Sequence, residues 1–164
     1  MLVKDLMSSS VNYVFPEDDL EKLTFLMRSE DVGILPVCDR QRHVLGVITD
    51  RDIVLRALRT SGGAPAVEPL TEQSPAAETL TAAEALTAAE TLTAADLMSR
   101  NVITVNSGDD IHQAALKFSK YALHRLPVVE NQRLVGILSL KDLARKKVFT
   151  AEIGHIIYNI YNHR

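Results

Sequence analysis

The sequence predicts an α+β protein that contains two copies of one β-α-β-β-α unit. Two pairs of stretches carry this prediction: DLMSSSVNYV at 5–14 returns as DLMSRNVITV at 96–105, and GVITDRDIV at 46–54 returns as GILSLKDLA at 136–144. The order is kept over about 50 residues with one single-residue gap, as expected of an internal repeat. One such unit leaves a face of its sheet uncovered, so we expect the two units to pack sheet against sheet.

Each copy contains the same elements in the same order. A short strand leads to a pair of aspartates that suits a helix N-terminus, and apolar residues then recur at helical spacing. Two strands joined by a polar turn follow, and a second helix begins at Thr49 or Ser139. The strands are predicted at 11–14, 34–38 and 44–48 in the first copy and at 102–105, 126–129 and 134–138 in the second. The apolar positions of the first helix are Leu20, Leu23, Leu26 and Met27 in the first copy and Ile111, Ala115, Leu116 and Phe118 in the second.

Composition divides the chain into a first domain at 1–60, a linker at 61–93, a second domain at 94–148 and a C-terminal amphipathic helix at 149–164. The linker repeats a hexad, and a six-residue step places its leucines about 120° apart around a helix, so no apolar face forms. We therefore interpret it as a flexible or loosely helical linker. The apolar stripe of the C-terminal helix indicates packing on its own module or a seam with a partner, and both remain open.

Charge and motif content exclude several classes of function. The net charge of −3 argues against a nucleic-acid binder. A local basic cluster consists of Lys141, Arg145, Lys146 and Lys147. It is either the solvated face of a helix or a nucleic-acid contact. No apolar run is long enough to span a membrane and no signal peptide is recognisable, which points to the cytoplasm.

Catalytic chemistry has little support in the sequence. The five histidines show no metal-ligand spacing, and no nucleophile, phosphate-loop or dinucleotide motif occurs. The single cysteine, Cys38, lies in the apolar run ILPVC and is predicted to be a buried core residue. The sequence therefore predicts a protein that is not an enzyme and requires no cofactor.

The repeated motifs resemble a tandem pair of CBS domains, the module named after cystathionine β-synthase. The resemblance rests on DLM, on ILPV and HRLPVV, and on GVITDRD and GILSLKD, and it covers about 3–59 and 94–147. It implies that the two repeats pair into one compact module, that modules form a homodimer, and that this chain is a stand-alone pair.

The phrases TDRD and SLKD admit two interpretations. Thr49 with Asp52, and Ser139 with Asp142, have the spacing of a capping box, which stabilises a helix start without any ligand. Alternatively, the hydroxyl and the helix N-terminus bind a phosphate while the carboxylate accepts ribose hydroxyls, with the preceding glycine keeping side-chain bulk away from the ligand. In CBS domains that bind adenine nucleotides, the resemblance implies these same contacts.

TDRD and SLKD each lie at a corner where a strand leads into a helix, and the two corners differ in the charge of nearby residues. His124 and Arg125 precede the second strand of the second copy, where basic residues reach phosphates in nucleotide-binding relatives. The first copy has Gly33 and Ile34 instead, and Ile34 is suited only to wall an adenine ring. The candidate ligand-binding residues are therefore Ser139, Asp142, His124, Arg125 and Lys141 at the favoured corner and Thr49, Asp52, Arg51 and Ile34 at the other.

The leading functional hypothesis is a regulatory sensor. A homodimer binds an adenosine-type ligand between its CBS repeats and thereby changes its affinity for a regulated protein partner. The ligand is AMP, ADP, ATP, S-adenosylmethionine or a member of the NAD class. The alternative is a ligand-free dimeric interaction module in which the two motifs only cap helices.

Overall fold

The computed structural model describes residues 1–60 and 92–145, together with residues 154, 158, 159 and 162 near the C-terminus. The side chains of residues 56–60 are outside this description. The hexad linker, apart from residues 92–93, and most of the C-terminal helix predicted at 149–164 lie outside the described residues. The domain boundaries set from the sequence therefore stay a prediction.

The described chain alternates helices and strands, which confirms the α+β class. The first repeat contains α1 (Leu20–Ser29), β1 (Ile34–Cys38), β2 (Val44–Thr49) and α2 (Asp50–Thr60). The second contains α3 (Ala94–Leu97), β3 (Val105–Asn106), α4 (Ile111–Tyr121), β4 (Arg125–Glu130), β5 (Arg133–Ser139) and α5 (Leu140–Arg145). A 3-10 turn at Val3–Asp5 occupies the position that corresponds to α3.

Both aspartate pairs start helices as predicted. The Asp19 side chain accepts the backbone N–H of Lys22, and the Asp110 side chain accepts the backbone N–H of His112. Each aspartate is the N-cap of its helix, so its carboxylate satisfies one of the backbone donors that a helix start leaves unpaired.

The strands form one sheet in each repeat. Strands β1 and β2 are neighbours in a two-stranded sheet, and the second sheet has the order β3-β4-β5. Strand β3 is parallel to β4, with Val105 opposite Val128, and β4 is antiparallel to β5, with Arg125 opposite Ser139. The last residue of each hairpin, Thr49 or Ser139, is followed directly by a helix.

The strand predicted at 11–14 is reduced to a single bridge, in which Val14 pairs in parallel with Val37. The reason is the residue at position 16. In the second repeat, the N–H of Ser107 continues the ladder by donating to the carbonyl of Val129 at 3.0 Å. The first repeat has Pro16 at the corresponding position, and proline has no N–H to donate.

Contacts divide the chain into two compact units that do not follow the repeats. One comprises Met1–Asn12, Cys38–Leu45 and Asn101–Arg164, and the other comprises Tyr13–Val37 and Gly46–Arg100. Residues 1–8 and 92–99, which we name the entrance segments, precede or open each repeat in sequence. Each entrance segment packs in the unit that contains most of the other repeat.

Backbone hydrogen bonds fix both entrance segments in the same way. The N–H of Val3 donates to the backbone carbonyl of Asp109 at 2.9 Å, and the N–H of Ala94 donates to the backbone carbonyl of Asp18 at 2.7 Å. Ser8 and Ser99 then pair with a strand edge, Ser8 with Ile137 and Ser99 with Val47. The entrance segments are therefore parts of the sheets and cores that they contact.

Each unit has its own apolar core. The unit with the second repeat buries Val3, Val105, Ile111, Ala114, Ala115, Phe118, Leu126, Val128, Leu138 and Leu143. The unit with the first repeat buries Val14, Leu23, Leu35, Val37, Ile48, Ala94, Leu97 and Met98. Cys38 is buried, as predicted.

Leu116, one of the apolar positions named from the sequence, does not belong to the buried face of α4, because its side chain is 63% exposed. The buried positions of α4 are Ile111, Ala114, Ala115 and Phe118, which follow the spacing of one helical face. Leu116 is one residue beyond Ala115 and so points about 100° away from that face.

Within residues 1–60 and 92–145, no helix combines the length and the apolar character needed to cross a bilayer.

Candidate functional site

At the first strand-to-helix corner, Thr49 and Asp52 form reciprocal hydrogen bonds. The Thr49 N–H donates to Oδ2 of Asp52 at 2.9 Å, and the Asp52 N–H donates to Oγ1 of Thr49 at 3.2 Å. Oγ1 also lies 2.7 Å from the same Oδ2. Because an ionised carboxylate only accepts hydrogen bonds, the threonine hydroxyl donates in this contact. The predicted capping box is therefore present at the start of α2.

The second corner has the same arrangement. The Ser139 N–H and hydroxyl donate to Oδ2 of Asp142 at 2.8 and 2.6 Å, and the Asp142 N–H donates back to Ser139 Oγ at 3.3 Å. In both corners the single hydroxyl proton is used by the carboxylate. The hydroxyl would therefore have to rotate before it could donate to a phosphate oxygen.

A third box of this kind opens α3. The Thr93 N–H and hydroxyl donate to Oδ2 of Asp96 at 2.9 and 2.6 Å. The hydrogen bond from the Thr93 hydroxyl, aided by that from its N–H, lowers the pKa of Asp96 below its usual value. The motif thus serves as a helix cap in this chain even outside the two corners.

Capping leaves half of each corner carboxylate open. All contacts from the threonine or serine go to Oδ2, and no residue in the described part of the chain donates to Oδ1 of Asp52 or Asp142. Both side chains are only partly buried. An open carboxylate oxygen can accept hydroxyl hydrogens, so the capping and ligand-binding interpretations are compatible.

The backbone donors of the first corner are all used. The Asp50 N–H donates to the carbonyl of Gly33 at 3.2 Å, and the Arg51 N–H donates to Oδ1 of Asp50 at 2.7 Å. The third donor, the N–H of Asp52, is held by Thr49. The exposed Asp50 carboxylate thus occupies the position near the helix start that favours an anion.

The second corner keeps one donor open. The Leu140 N–H donates to the carbonyl of His124 at 3.1 Å, which matches the bond between Asp50 and Gly33. Leu140 has no polar side chain, and among the described residues nothing accepts a hydrogen bond from the N–H of Lys141. The second corner therefore offers a free N–H at its helix start, whereas the first does not.

Arg125 lies directly across the sheet from Ser139. The two residues are partners in the antiparallel register of β4 and β5, so their side chains emerge on the same face. No described residue forms an ion pair with the Arg125 guanidinium, and the side chains of His124 and Lys141 are exposed. The structure thus brings Arg125 and His124 to the corner formed by Ser139 and Asp142.

The corresponding residues of the first corner are apolar. Gly33 contributes its carbonyl, and Ile34 is the first residue of β1 and is partly buried. Arg51 is exposed, and it is followed by one carboxylate and preceded by another. The first corner therefore has an excess of negative charge, and the second has an excess of positive charge.

The predicted role of the corner glycines was wrong. A Cβ at Gly46 would lie 2.5 Å from Sδ of Met98, and a Cβ at Gly136 would lie 2.6 Å from the carbonyl oxygen of Ser8. The space beside each glycine is filled by an entrance segment. These glycines permit close packing of the chain and do not keep space for a ligand.

Sequence reasoning missed the difference between Asp50 and Leu140. The signal was present, because the residue after the hydroxyl is an acid in TDRD and an apolar residue in SLKD. A first-turn acid that accepts the next backbone N–H removes the donor that an anionic ligand would use. The third box at Thr93 was missed as well, although TAAD has the same spacing.

The CBS domain profile matches residues 3–59 and 94–148, which together make up more than half of the chain. The chain therefore belongs to the CBS-domain family, and its two repeats form a CBS domain pair.

Two relatives share most of this chain. It is 28% identical over 158 residues to the CBS domain-containing protein YhcV of Bacillus subtilis, with 96% of this chain and 94% of YhcV covered. It is also 28% identical over 142 residues to hypoxic response protein 1 of Mycobacterium tuberculosis, with coverage of 87% and 82%.

Two solved structures share its fold. One is the CBS domain pair of protein MJ0100 in complex with 5′-methylthioadenosine and S-adenosyl-L-methionine, with 24% identity, a TM-score of 0.64, and 90% of this chain and 95% of that chain covered. The other is CBSX2 in complex with AMP, with 21% identity, a TM-score of 0.66 and coverage of 90% and 96%.

Proposed function

We propose that this CBS domain pair is a regulatory sensor that binds an adenosine-type ligand, foremost at the corner of Ser139 and Asp142. The observation that carries the proposal is the set of unused groups at that corner. The Lys141 N–H and the Arg125 guanidinium are open to an anion, and Oδ1 of Asp142 is open to hydroxyl groups. Such a set suits a ribose that carries a phosphate.

Each part of the ligand has a corresponding group. Two ribose hydroxyls donate to Oδ1 of Asp142, and a phosphate accepts from the N–H of Lys141 and from Arg125, whose planar fork matches its oxygens. His124 and the side chain of Lys141 add positive charge at the rim. The ligands of MJ0100 and CBSX2 support the adenosine class, in which we include AMP, ADP, ATP, S-adenosylmethionine and the NAD class.

The regulatory part of the proposal follows from thermodynamic linkage. A ligand changes the affinity for a partner protein only if it binds the two states of the sensor differently. We propose a non-enzymatic homodimer in the cytoplasm as the state in which this occurs, and the dimer is tested by sedimentation velocity. Ser139 and the residues around it act as binding groups and transfer no atoms.

A ligand-free interaction module is the second candidate. It is favoured by the box of Thr93 and Asp96, which shows that the same motif caps a helix by itself. Under this alternative, Asp142 contributes only the stability of a cap, about 1 kcal/mol, and no nucleotide binds.

Thermal unfolding with AMP, ADP, ATP, S-adenosylmethionine and NADH separates the two candidates. A ligand at about 100 times its dissociation constant adds roughly 2.7 kcal/mol to the free energy of unfolding and raises the Tm by several degrees. Asp142→Ala should abolish this rise for AMP. Asp96→Ala is the matched control, because it removes an equivalent cap and should keep the full rise.

Two results would contradict the sensor. One is the absence of a shift with all five compounds. The other is an AMP shift that Asp142→Ala and Asp96→Ala reduce equally, since a loss of cap stability alone would then explain the effect.

A further inference from the structure

The geometry points to Asp50 as a specificity-determining residue that excludes phosphate from the first corner. That corner then takes adenosine derivatives whose 5′ substituent is neutral or cationic. The inference rests on the proposed function, because it names the ligand class of a site that the proposed function assigns to adenosine-type ligands.

Asp50 both removes a donor and adds a charge. Its Oδ1 accepts the Arg51 N–H at 2.7 Å, the donor whose counterpart at Lys141 has no acceptor among the described residues. The other two first-turn donors are held by Gly33 and Thr49. An incoming phosphate would therefore find no free N–H at this helix start and would face the carboxylates of Asp50 and Asp52.

The rest of the first corner is still suited to a nucleoside. Oδ1 of Asp52 accepts nothing from the described residues, as at Asp142, so it can accept ribose hydroxyls. Ile34 offers an apolar surface at the start of β1. A cationic group near Asp50 would be attracted by the same carboxylate that repels a phosphate.

A single residue therefore sets the ligand charge that each corner accepts. Leu140 stands where the first corner has Asp50, so the second corner lacks the carboxylate and keeps the donor. One chain then binds two different ligands, one with a phosphate at the second corner and one without a phosphate at the first.

The test uses the full chain with Asp142→Ala, which disables the second corner. Isothermal titration calorimetry at low salt measures the affinity for adenosine and for AMP. We expect adenosine to bind at least about tenfold more tightly than AMP, because like charges repel most strongly at low ionic strength. Adding Asp50→Asn keeps an oxygen for the Arg51 N–H but removes the charge, and it should raise AMP affinity about tenfold while adenosine stays within about threefold.

Glu21→Gln is the matched control, since it removes an exposed acid from the first turn of α1 and should leave both affinities unchanged. The inference is overturned if AMP binds the Asp142→Ala protein as tightly as adenosine does, if neither binds it, or if Asp50→Asn leaves the ratio of affinities unchanged. The proposed function itself fails if the unmodified chain shows no thermal shift with any of the five compounds, a result that does not depend on Asp50, so the two failures are distinguishable.

Discussion

The carbonyl oxygen of Ser8 lies 2.6 Å from the point where a side chain at Gly136 would place its Cβ. The two residues belong to different repeats, and two backbone hydrogen bonds join Ser8 to Ile137, the residue after Gly136. The Ser8 N–H donates to the Ile137 carbonyl at 2.9 Å, and the Ile137 N–H donates back at 2.9 Å. The edge of β5, two residues before Ser139, is thus built around an entrance segment from the start of the chain.

Gly136→Ala should destabilise the protein by about 1–3 kcal/mol, because the added methyl group would meet a backbone oxygen that cannot rotate away. Urea unfolding measures this loss. Gly108→Ala is the control, since nothing lies within 4 Å of a Cβ at that position. An equal effect of both substitutions would show that close packing at Gly136 is not the cause.

Val3→Ala tests whether the entrance segment belongs to the core of the unit that contains the second repeat. Val3 is fully buried in that core. Removing two methyl groups there should cost roughly 1.5–2.5 kcal/mol in urea unfolding. Val54→Ala is the control, because Val54 is 56% exposed and its truncation should change stability by less than about 0.5 kcal/mol. Equal losses would argue against the packing of Val3.

The sequence predicted what is local and missed what is distant. Apolar spacing and the aspartate pairs were enough for α1 and α4, because a helix and its cap are decided within a few residues. Spacing alone cannot say which surface a buried residue contacts. Val3 looks like part of the first repeat, yet its partners come from the second, and only the folded chain shows this exchange.

In the candidate site too, the features decided within a few residues were predicted from the sequence, and those that depend on distant contacts were not. The boxes of Thr49 with Asp52 and of Ser139 with Asp142 were predicted correctly, since each spans four residues. The role of the glycines was wrong, because Met98 and Ser8 approach them from distant parts of the chain. The ligand roles stay a prediction, since they depend on atoms that the chain does not itself contain.

Ala122→Gly should stabilise the protein by about 1 kcal/mol. Ala122 ends α4 in the left-handed conformation, with φ 50° and ψ 43°, where the Cβ is crowded and glycine is not. Thermal and urea unfolding measure the gain. Asp31→Gly at the corresponding position of the first repeat, with φ 51°, should gain less because aspartate tolerates this region better. A loss of stability in Ala122→Gly would contradict the claim that the left-handed backbone conformation at Ala122 is strained by its Cβ.

Asp96 should contribute to stability at neutral pH and lose that contribution in acid. The hydrogen bonds from Thr93 lower its pKa in the folded protein, so the unfolded chain binds the proton more readily. Its contribution is therefore complete above the unfolded pKa, about 3.9, and disappears as the pH falls through the folded value. Urea unfolding of the unmodified chain and of Asp96→Asn should show a difference at pH 7 that narrows below about pH 4. A difference that stays constant with pH would exclude this linkage.

The Cys38 thiol should react only slowly with thiol reagents in the folded protein. Burial raises the pKa of its thiol to about 11, with a smaller increase from Asp39 and an opposing effect from Arg42. Because the thiolate is the reactive form, very little of it exists at pH 8. Cys38 is the only cysteine in the chain, so labelling with a thiol reagent reports on it alone. We expect slow labelling in buffer and fast labelling in urea, where the pKa returns to about 8.5. Rapid stoichiometric labelling of the folded chain would mean that the thiol at the end of β1 is open to solvent.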